Sequence, residues 1–300
     1  MTVRMTPADI ALALLVVLVW GVNFVVIKAG VAEVPPLLLG ALRFLAAALP
    51  AVFFFRVPRL PLATYLAYGL SIAFGQFAFL FTAIHVGMPS GLASLVLQSQ
   101  AFFTMLFAAV WLKESWRPSQ LAGLVLAAGG LGLIGTAHGV SMPLTGFILT
   151  VAAACSWAAG NVVSRTLSRN GPVNLLAFVV WASLVPPLPF LAMSLLIEGP
   201  AAITAALSHF SLRSAGAVMY LGWGATLLGY GLWARLMSRY PANQVAAFPL
   251  LVPLVGLSAG WLVYGEALQP VHWIGGALLM LGLGVNLFGT RVMARWRGAT

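Results

Sequence analysis

The chain has 300 residues, of which 62% are hydrophobic and only 7% charged, with a mean hydropathy of +1.03. That is too greasy to leave a wettable surface, so the composition excludes a soluble enzyme, a disordered chain and a secreted disulfide scaffold, and points to a polytopic membrane protein. The 15 basic against 5 acidic residues give +10, which is no nucleic-acid signature, because basic residues shut out of lipid gather at helix ends. The single cysteine, Cys155, lies in an apolar run and can form no intrachain disulfide.

About 20 apolar residues span a bilayer, and on that measure the sequence predicts ten spans: 9–28, 35–55, 62–83, 91–112, 119–137, 145–165, 173–197, 212–234, 243–264 and 270–290. Thr6-Pro7-Ala8-Asp9 reads as a helix start, with a cap, a proline at the first position and an acid in the first turn. The first span is too long for a signal-peptide core and is read as a retained helix. Trp20 and Asn23 share one face of it. The second span holds Arg43, the one charge near a span's centre, either a counter-ion for a substrate carboxylate or a structural strut. In the third, Gln76 and Phe79 are three apart. The fourth carries a polar stripe of Ser90, Ser94 and Gln98, with Gln100 on the far side of the wheel, so Gln98 is favoured over Gln100 as a site residue.

The sixth span pairs Trp157 with Asn161, four residues on. Pro186, Pro187 and Pro189 distort the seventh, and the gap 198–211 has room for a short interfacial helix. In the eighth, Tyr220, Trp223, Leu227 and Tyr230 form a seam at helical spacing, with Trp233 one turn on, and a mid-span tyrosine such as Tyr230 wants a hydroxyl partner. In the ninth, Pro249 and Pro253 remove two N–H donors and free the carbonyls of Val245 and Pro249, which suggests a hinge beside a cavity. Gly256-x-x-x-Gly260 follows it. The glycine-rich fifth and tenth spans read as packing scaffold.

Orientation follows from short-loop basic residues. With the N-terminus in the cytoplasm, Arg4, Arg56, Arg59, Lys113, Arg117, Arg165, Arg169, Arg235, Arg239, Arg291, Arg295 and Arg297 lie inside, against Lys28 and Arg213 outside. Both termini are therefore expected in the cytoplasm. Glu33, Glu198, Glu266 and the four histidines (His85, His138, His209, His272) fall outside, and the basic C-terminal tail would lie on anionic headgroups.

The chain also repeats itself. Glu114, Pro118 and Gly123 match Glu266, Pro270 and Gly275 at an offset of 152, as Pro89 matches Pro241; Trp20 and Lys28 match Trp157 and Arg165 at an offset of 137. Two units of five spans, 1–142 and 143–300, would enter the membrane from opposite faces because five is odd. Inverted repeats are a mark of alternating-access transporters with a site at the repeat interface.

Trp20-Gly21-x-Asn23, Arg43-Phe44 and the Leu-Lys-Glu and Tyr-Gly-Glu signals before the fifth and tenth spans resemble the drug/metabolite transporter superfamily. Within it the chain resembles the EamA-like branch, which includes YddG-type exporters of aromatic amino acids and methyl viologen. The resemblance covers nearly the whole chain and implies an all-α basket of ten transmembrane helices around a central cavity.

The candidate substrate-binding residues are Trp20, Asn23, Arg43, Gln76, Phe79, Ser94, Gln98, Trp157, Asn161 and Tyr230, with Pro249 and Pro253 as hinges. No carboxylate sits mid-span to carry a coupled proton, so a facilitator, or coupling through an unusual group, is expected. No catalytic constellation, metal-ligand spacing or cofactor motif is present. The expected function is export, by alternating access, of small organic solutes: amino acids, including aromatic or apolar ones, related metabolites or flat organic cations. The alternatives are a membrane-embedded enzyme acting on a lipid or carrier-linked substrate, a carrier of an unrelated metabolite, and a non-transporting membrane scaffold. The partners expected are a small-molecule substrate and the bilayer, not nucleic acid; the oligomeric state is open, a monomer being compatible. Arginine outnumbering lysine, with abundant alanine and leucine, points to a bacterial inner membrane.

Overall fold

The computed structural model describes residues 5–137, 142–169, 173–240, 242–245 and 247–297, the side chains of 168, 169, 242, 243 and 290–297 excepted. Arg4, His138 and Pro241 lie outside the described residues, as do the side chains of Arg169, Arg291, Arg295 and Arg297. Every regular element is helical: α1 (Pro7–Val31), α2 (Pro36–Ala51), α3 (Leu62–His85), α4 (Ser90–Leu112), α5 (Pro118–Thr136), α6 (Leu144–Arg169), α7 (175–198), α8 (Gly199–Ser208), α9 (212–239), α10 (Phe248–Tyr264) and α11 (Pro270–Arg297). Among the described residues, seven helical runs are long and apolar enough to cross a membrane, while α2 and α10 are shorter apolar helices.

Local chemistry sets the ends. Thr6 caps α1 by accepting from the Asp9 amide at 3.2 Å, with Pro7 in the first turn. α2 stops at Ala51 rather than 55, just after Pro50 and ahead of Pro58 and Pro61, whose rings disfavour helix in the residues before them. The seventh span is broken at 183–186 and restarts at Pro187, and α8 occupies the gap where a short helix was expected. The ninth is not one helix with two central prolines. A single turn, Ala242–Val245, precedes 3₁₀-helical Phe248–Leu251, and an α-helix then starts at Val252. Pro249 and Pro253 each occupy a first-turn position, where the absent N–H would have had no intrahelical partner.

Among the described residues three helices carry wide π-helical turns: Gly69–Gly75 in α3, Ser194–Glu198 at the end of α7 and Tyr220–Leu228 in α9. Two tighten into 3₁₀ turns, Leu97–Ser99 in α4 and Phe248–Leu251 in α10. At the 152-residue offset four of these five breaks fall into pairs, 69–75 onto 221–227 and 97–99 onto 249–251, while Ser194–Glu198 has no counterpart in α2. Two of the ion pairs exchange in a like manner, their basic residues at the 137-residue offset and their acids at 152. Lys28 bonds Glu266 at 2.7 Å and Arg165 bonds Glu114 at 2.8 Å, and these four residues are two sets of repeat mates. α5 and α11 cross antiparallel through glycines. A methyl group built on Gly123 would stand 2.6 Å from the Gly282 carbonyl oxygen, and one on Gly275 would stand 2.7 Å from that of Gly130.

Candidate functional site: a central chamber closed at one end

The helices enclose a chamber of about 900 Å³. Nine of the ten residues expected at a site line it: Trp20, Asn23, Arg43, Gln76, Ser94, Gln98, Trp157, Asn161 and Tyr230, together with Pro249. Phe79 does not. It is 39% exposed on the outside of the bundle. At about 100° per residue, Gln76, Leu80 and Phe77 sweep an arc of about 100°, and Phe79 falls about 60° outside it; Phe77 and Leu80 take the lining positions. Pro253 is buried beneath the lining.

Gln100 lines the chamber as well as Gln98, so preference for one over the other is not what the fold provides. The 3₁₀ turn between them narrows their separation around the axis from about 160° to about 120°. Gln98 donates to the Pro249 carbonyl at 3.5 Å, joining the two 3₁₀ breaks. Gln100 accepts at 2.7 Å from Asn161, which also donates to Thr104 at 3.1 Å. The α9 seam is likewise split by the π turn. Tyr220 turns its hydroxyl to the Val19 carbonyl at 2.8 Å and Trp223 its indole N–H to that of Ala46 at 2.8 Å. Tyr230 and Trp233 face inward, their rings 5.4 and 5.5 Å from that of Trp20, whose own N–H donates to the Ala225 carbonyl at 3.0 Å.

At one end of the bundle three carboxylates are each tied to the start of a distant helix. Glu266 accepts from the Ser90 amide (2.9 Å), the Ser90 hydroxyl (2.9 Å), the Gly91 amide (2.8 Å) and Lys28 (2.7 Å). Glu198 accepts from the Leu37 and Leu38 amides at 2.7 and 3.1 Å. Glu33 accepts from Ser214 at 2.6 Å and from Ser211 at the start of α9. A negative charge at a helix N-terminus meets unpaired N–H groups and the positive end of the dipole. The hydroxyls of Ser211 and Ser214 hold the Glu33 carboxyl below the usual glutamate range. The chamber runs toward the other end, where Ser164, Leu167, Val173, Leu175, Met237 and Ser238 line it. Sequence reasoning placed these three acids in loops and missed their capping role, because each capped helix start lies at least 160 positions away.

The profile of the EamA-like transporter family matches residues 8–136 and again 144–288. The chain belongs to the EamA-like transporter family. That family comprises transporters, which are not enzymes. The chain is 48% identical over 291 residues, covering 96% of itself and 97% of the relative, to a protein of Salmonella typhimurium (strain LT2) named "Probable amino-acid metabolite efflux pump". A protein of Escherichia coli (strain K12) bearing the same name is 45% identical over 298 residues, 98% of each chain. A "Probable terminal-alkyne amino-acid exporter" of Streptantibioticus cattleyicolor is 29% identical over 72% of this chain and 69% of its own. A solved crystal structure superposes with a TM-score of 0.64 at 21% identity, covering 93% of this chain and 95% of the other, which shows a shared fold.

The two lining asparagines of this EamA-like chain differ. Asn161 knits α6 to α4, whereas the Asn23 carboxamide makes no hydrogen bond among the described residues. Asn161→Ala is therefore expected to lower stability by about 1 kcal/mol, read as a lower melting temperature in detergent. Asn23→Ala should leave melting unchanged and weaken ligand binding.

Proposed function

We propose that this EamA-like protein exports amino acids and related small metabolites across a bacterial inner membrane by alternating access. It does so as ten transmembrane helices in two inverted five-helix repeats, 1–142 and 143–300. The observation that carries the reading is the chamber itself, lined by aromatic rings and carboxamides, closed at one end and reaching the other. The names of the two relatives above 40% identity support the substrate class.

The inverted arrangement is supported by the exchange symmetry of the α3 and α9 π turns, the 3₁₀ turns, the Lys28–Glu266 and Arg165–Glu114 pairs and the α5–α11 glycine crossing. The basic residues orient both termini to the cytoplasm. The Glu266 end is then the outer face, and the chamber loads from the cytoplasm, as export requires. The facing breaks at Leu97–Ser99 and Phe248–Leu251, with Pro249 and Pro253, are where the helices would bend as the outer end opens. None of the five carboxylates lines the chamber, so transport needs no buried acid to carry a proton.

In liposomes holding the purified protein, efflux of radiolabelled amino acids is expected to exceed that of empty vesicles severalfold and to proceed without a pH gradient. Rates equal to empty vesicles for every amino acid tried would end the transport reading; a strict gradient requirement would end the uncoupled one.

A further inference from the structure

We infer that Arg43 and the recess around it form a carboxylate site, so that a solute must bring an anionic group to be carried; this rests on the transport reading above and narrows its substrate class. Arg43 sits in the middle of α2 and is 2% exposed. Its Nη2 donates to the Thr226 hydroxyl at 3.1 Å, while Nε and Nη1 have no partner among the described residues. The guanidinium lies over the ring of Phe77, 3.7 Å from its centroid, with Phe44 and Phe81 at 5.1 and 5.9 Å. Stacking of this kind offsets part of the cost of burying a cation but supplies no counter-charge.

No carboxylate of the chain makes up the difference. Asp9 is held by Tyr240 and Arg239, Glu33 by Ser211 and Ser214, Glu114 by Arg165, Glu198 by the start of α2, and Glu266 by Lys28 and the start of α4. Arginine does not shed its proton to escape the cost. A purely structural arginine would have its donors filled by carbonyls. This one keeps two nitrogens unfilled beside a recess that opens off the chamber.

The recess is walled by Arg43, Tyr68, Phe77, Thr226 and Tyr230 and measures about 20 Å³, room for a water-sized group such as one carboxylate oxygen, the rest of the solute lying in the chamber, with which it shares Arg43, Tyr68, Phe77 and Tyr230. Both tyrosine hydroxyls lack a hydrogen-bond partner among the described residues, so they stand as further donors. The π turns of α3 and α9 flank it: Tyr68 precedes one, and Thr226 lies within the other, donating to the Leu221 carbonyl at 2.9 Å while accepting from Arg43. A second pole lies on the same chamber wall. The carboxamides of Asn23 and Gln76 make no hydrogen bond among the described residues, and each has a buried oxygen without a donor. Amide oxygens accept from an ammonium. Zwitterions and monocarboxylates therefore suit the chamber, and organic cations lacking a carboxylate do not, which trims the sequence-based expectation.

The test uses three solutes of one shape on the full chain in nanodiscs: phenylalanine, phenylalaninamide and 3-phenylpropanoate, with binding read by calorimetry. Phenylalaninamide should bind at least about tenfold more weakly than phenylalanine, since it forfeits a charge-assisted hydrogen bond, and 3-phenylpropanoate should stay within about tenfold of it. Arg43→Met should erase the preference for the acid, and Arg43→Lys should keep part of it, melting temperature reporting that each is folded. Equal binding of the acid and its amide by the unaltered protein overturns the carboxylate site while leaving the transport reading intact. Failure of all three to bind, repeated with the alanine and leucine series, overturns the transport reading and the site with it.

Discussion

Gly130→Ala is expected to lower the stability of the folded bundle by about 1–3 kcal/mol, and Gly130→Leu to prevent its assembly. A methyl group at Gly130 would meet the Gly275 carbonyl oxygen, and it would stand 2.7 Å from the Leu279 amide nitrogen. These are backbone atoms of the facing helix, with no side chain that can swing aside. Two helices in lipid gain nothing by hiding apolar surface from each other, so their association depends on close van der Waals approach, and glycine is what permits it. Gly129 and Gly132 lie on the same helix with nothing within 4 Å of an added methyl. Replacing either with alanine should be neutral or stabilise by up to about 1 kcal/mol through helix propensity. Exchange symmetry adds a sharper expectation: Gly282→Ala, at the counterpart of Gly130, should cost nearly the same. Melting temperatures in detergent check all four. Equal melting of Gly129→Ala and Gly130→Ala would mean that the α5–α11 crossing does not hold the bundle.

The packing role of glycines in α5 and α11 was legible in the sequence, although their crossing was not, since the facing glycines lie far apart along the chain and Gly129 and Gly132 face nothing. The helix start at Thr6 and the break ahead of Pro187 were legible too. The winding was not. A helical wheel assumes one uniform turn, and a π turn in α3 or a 3₁₀ turn in α4 alters the phase of everything after it. The reading of Gln100 as outward failed across the 3₁₀ turn, whereas that of Phe79 as inward failed on the regular turns after Gln76, where Phe77 and Leu80 flank the lining arc and Phe79 falls outside it. Nor does any sequence signal mark a π turn directly. Its trace here is the matched position of two of them, visible only once the 152-residue repeat is applied to the coordinates. The roles of Glu33, Glu198 and Glu266 were hidden for another reason: each needs a helix start from a distant part of the chain, and a carboxylate in a loop looks the same whether solvated or clamped.

These clamps are the lever on the chamber's closed end. Glu266→Ala is expected to destabilise that end by about 2–4 kcal/mol, the lower part of the range for breaking a buried pair because Lys28 is a third exposed. The substitution leaves the Lys28 ammonium half-buried and the Ser90 and Gly91 amides at the start of α4 without their acceptor. Lys28→Met with Glu266→Gln should recover part of the loss, because neither charge is then left alone. The cost falls on the state with this end shut, and each 1.4 kcal/mol shifts a two-state ratio tenfold toward the open one. A cysteine introduced at Ser94, in a Cys155→Ala background, should then react faster with a membrane-impermeant thiol reagent added from the Glu266 side. Acid should mimic the substitution. Burial raises the Glu266 carboxyl, but the Lys28 ammonium and the Gly91 and Ser90 amides outweigh it and hold the group below its ordinary 4.5. A depressed folded value means that the clamp is at full strength above 4.5 and weakens as pH falls below it. Because the thiolate fraction falls with pH, the rate is read relative to a free thiol at the same pH: on that scale the unaltered protein should gain accessibility as pH drops through that range, and Glu266→Gln should show no change. A pH response that survives in Glu266→Gln would assign the closure to Glu33 instead.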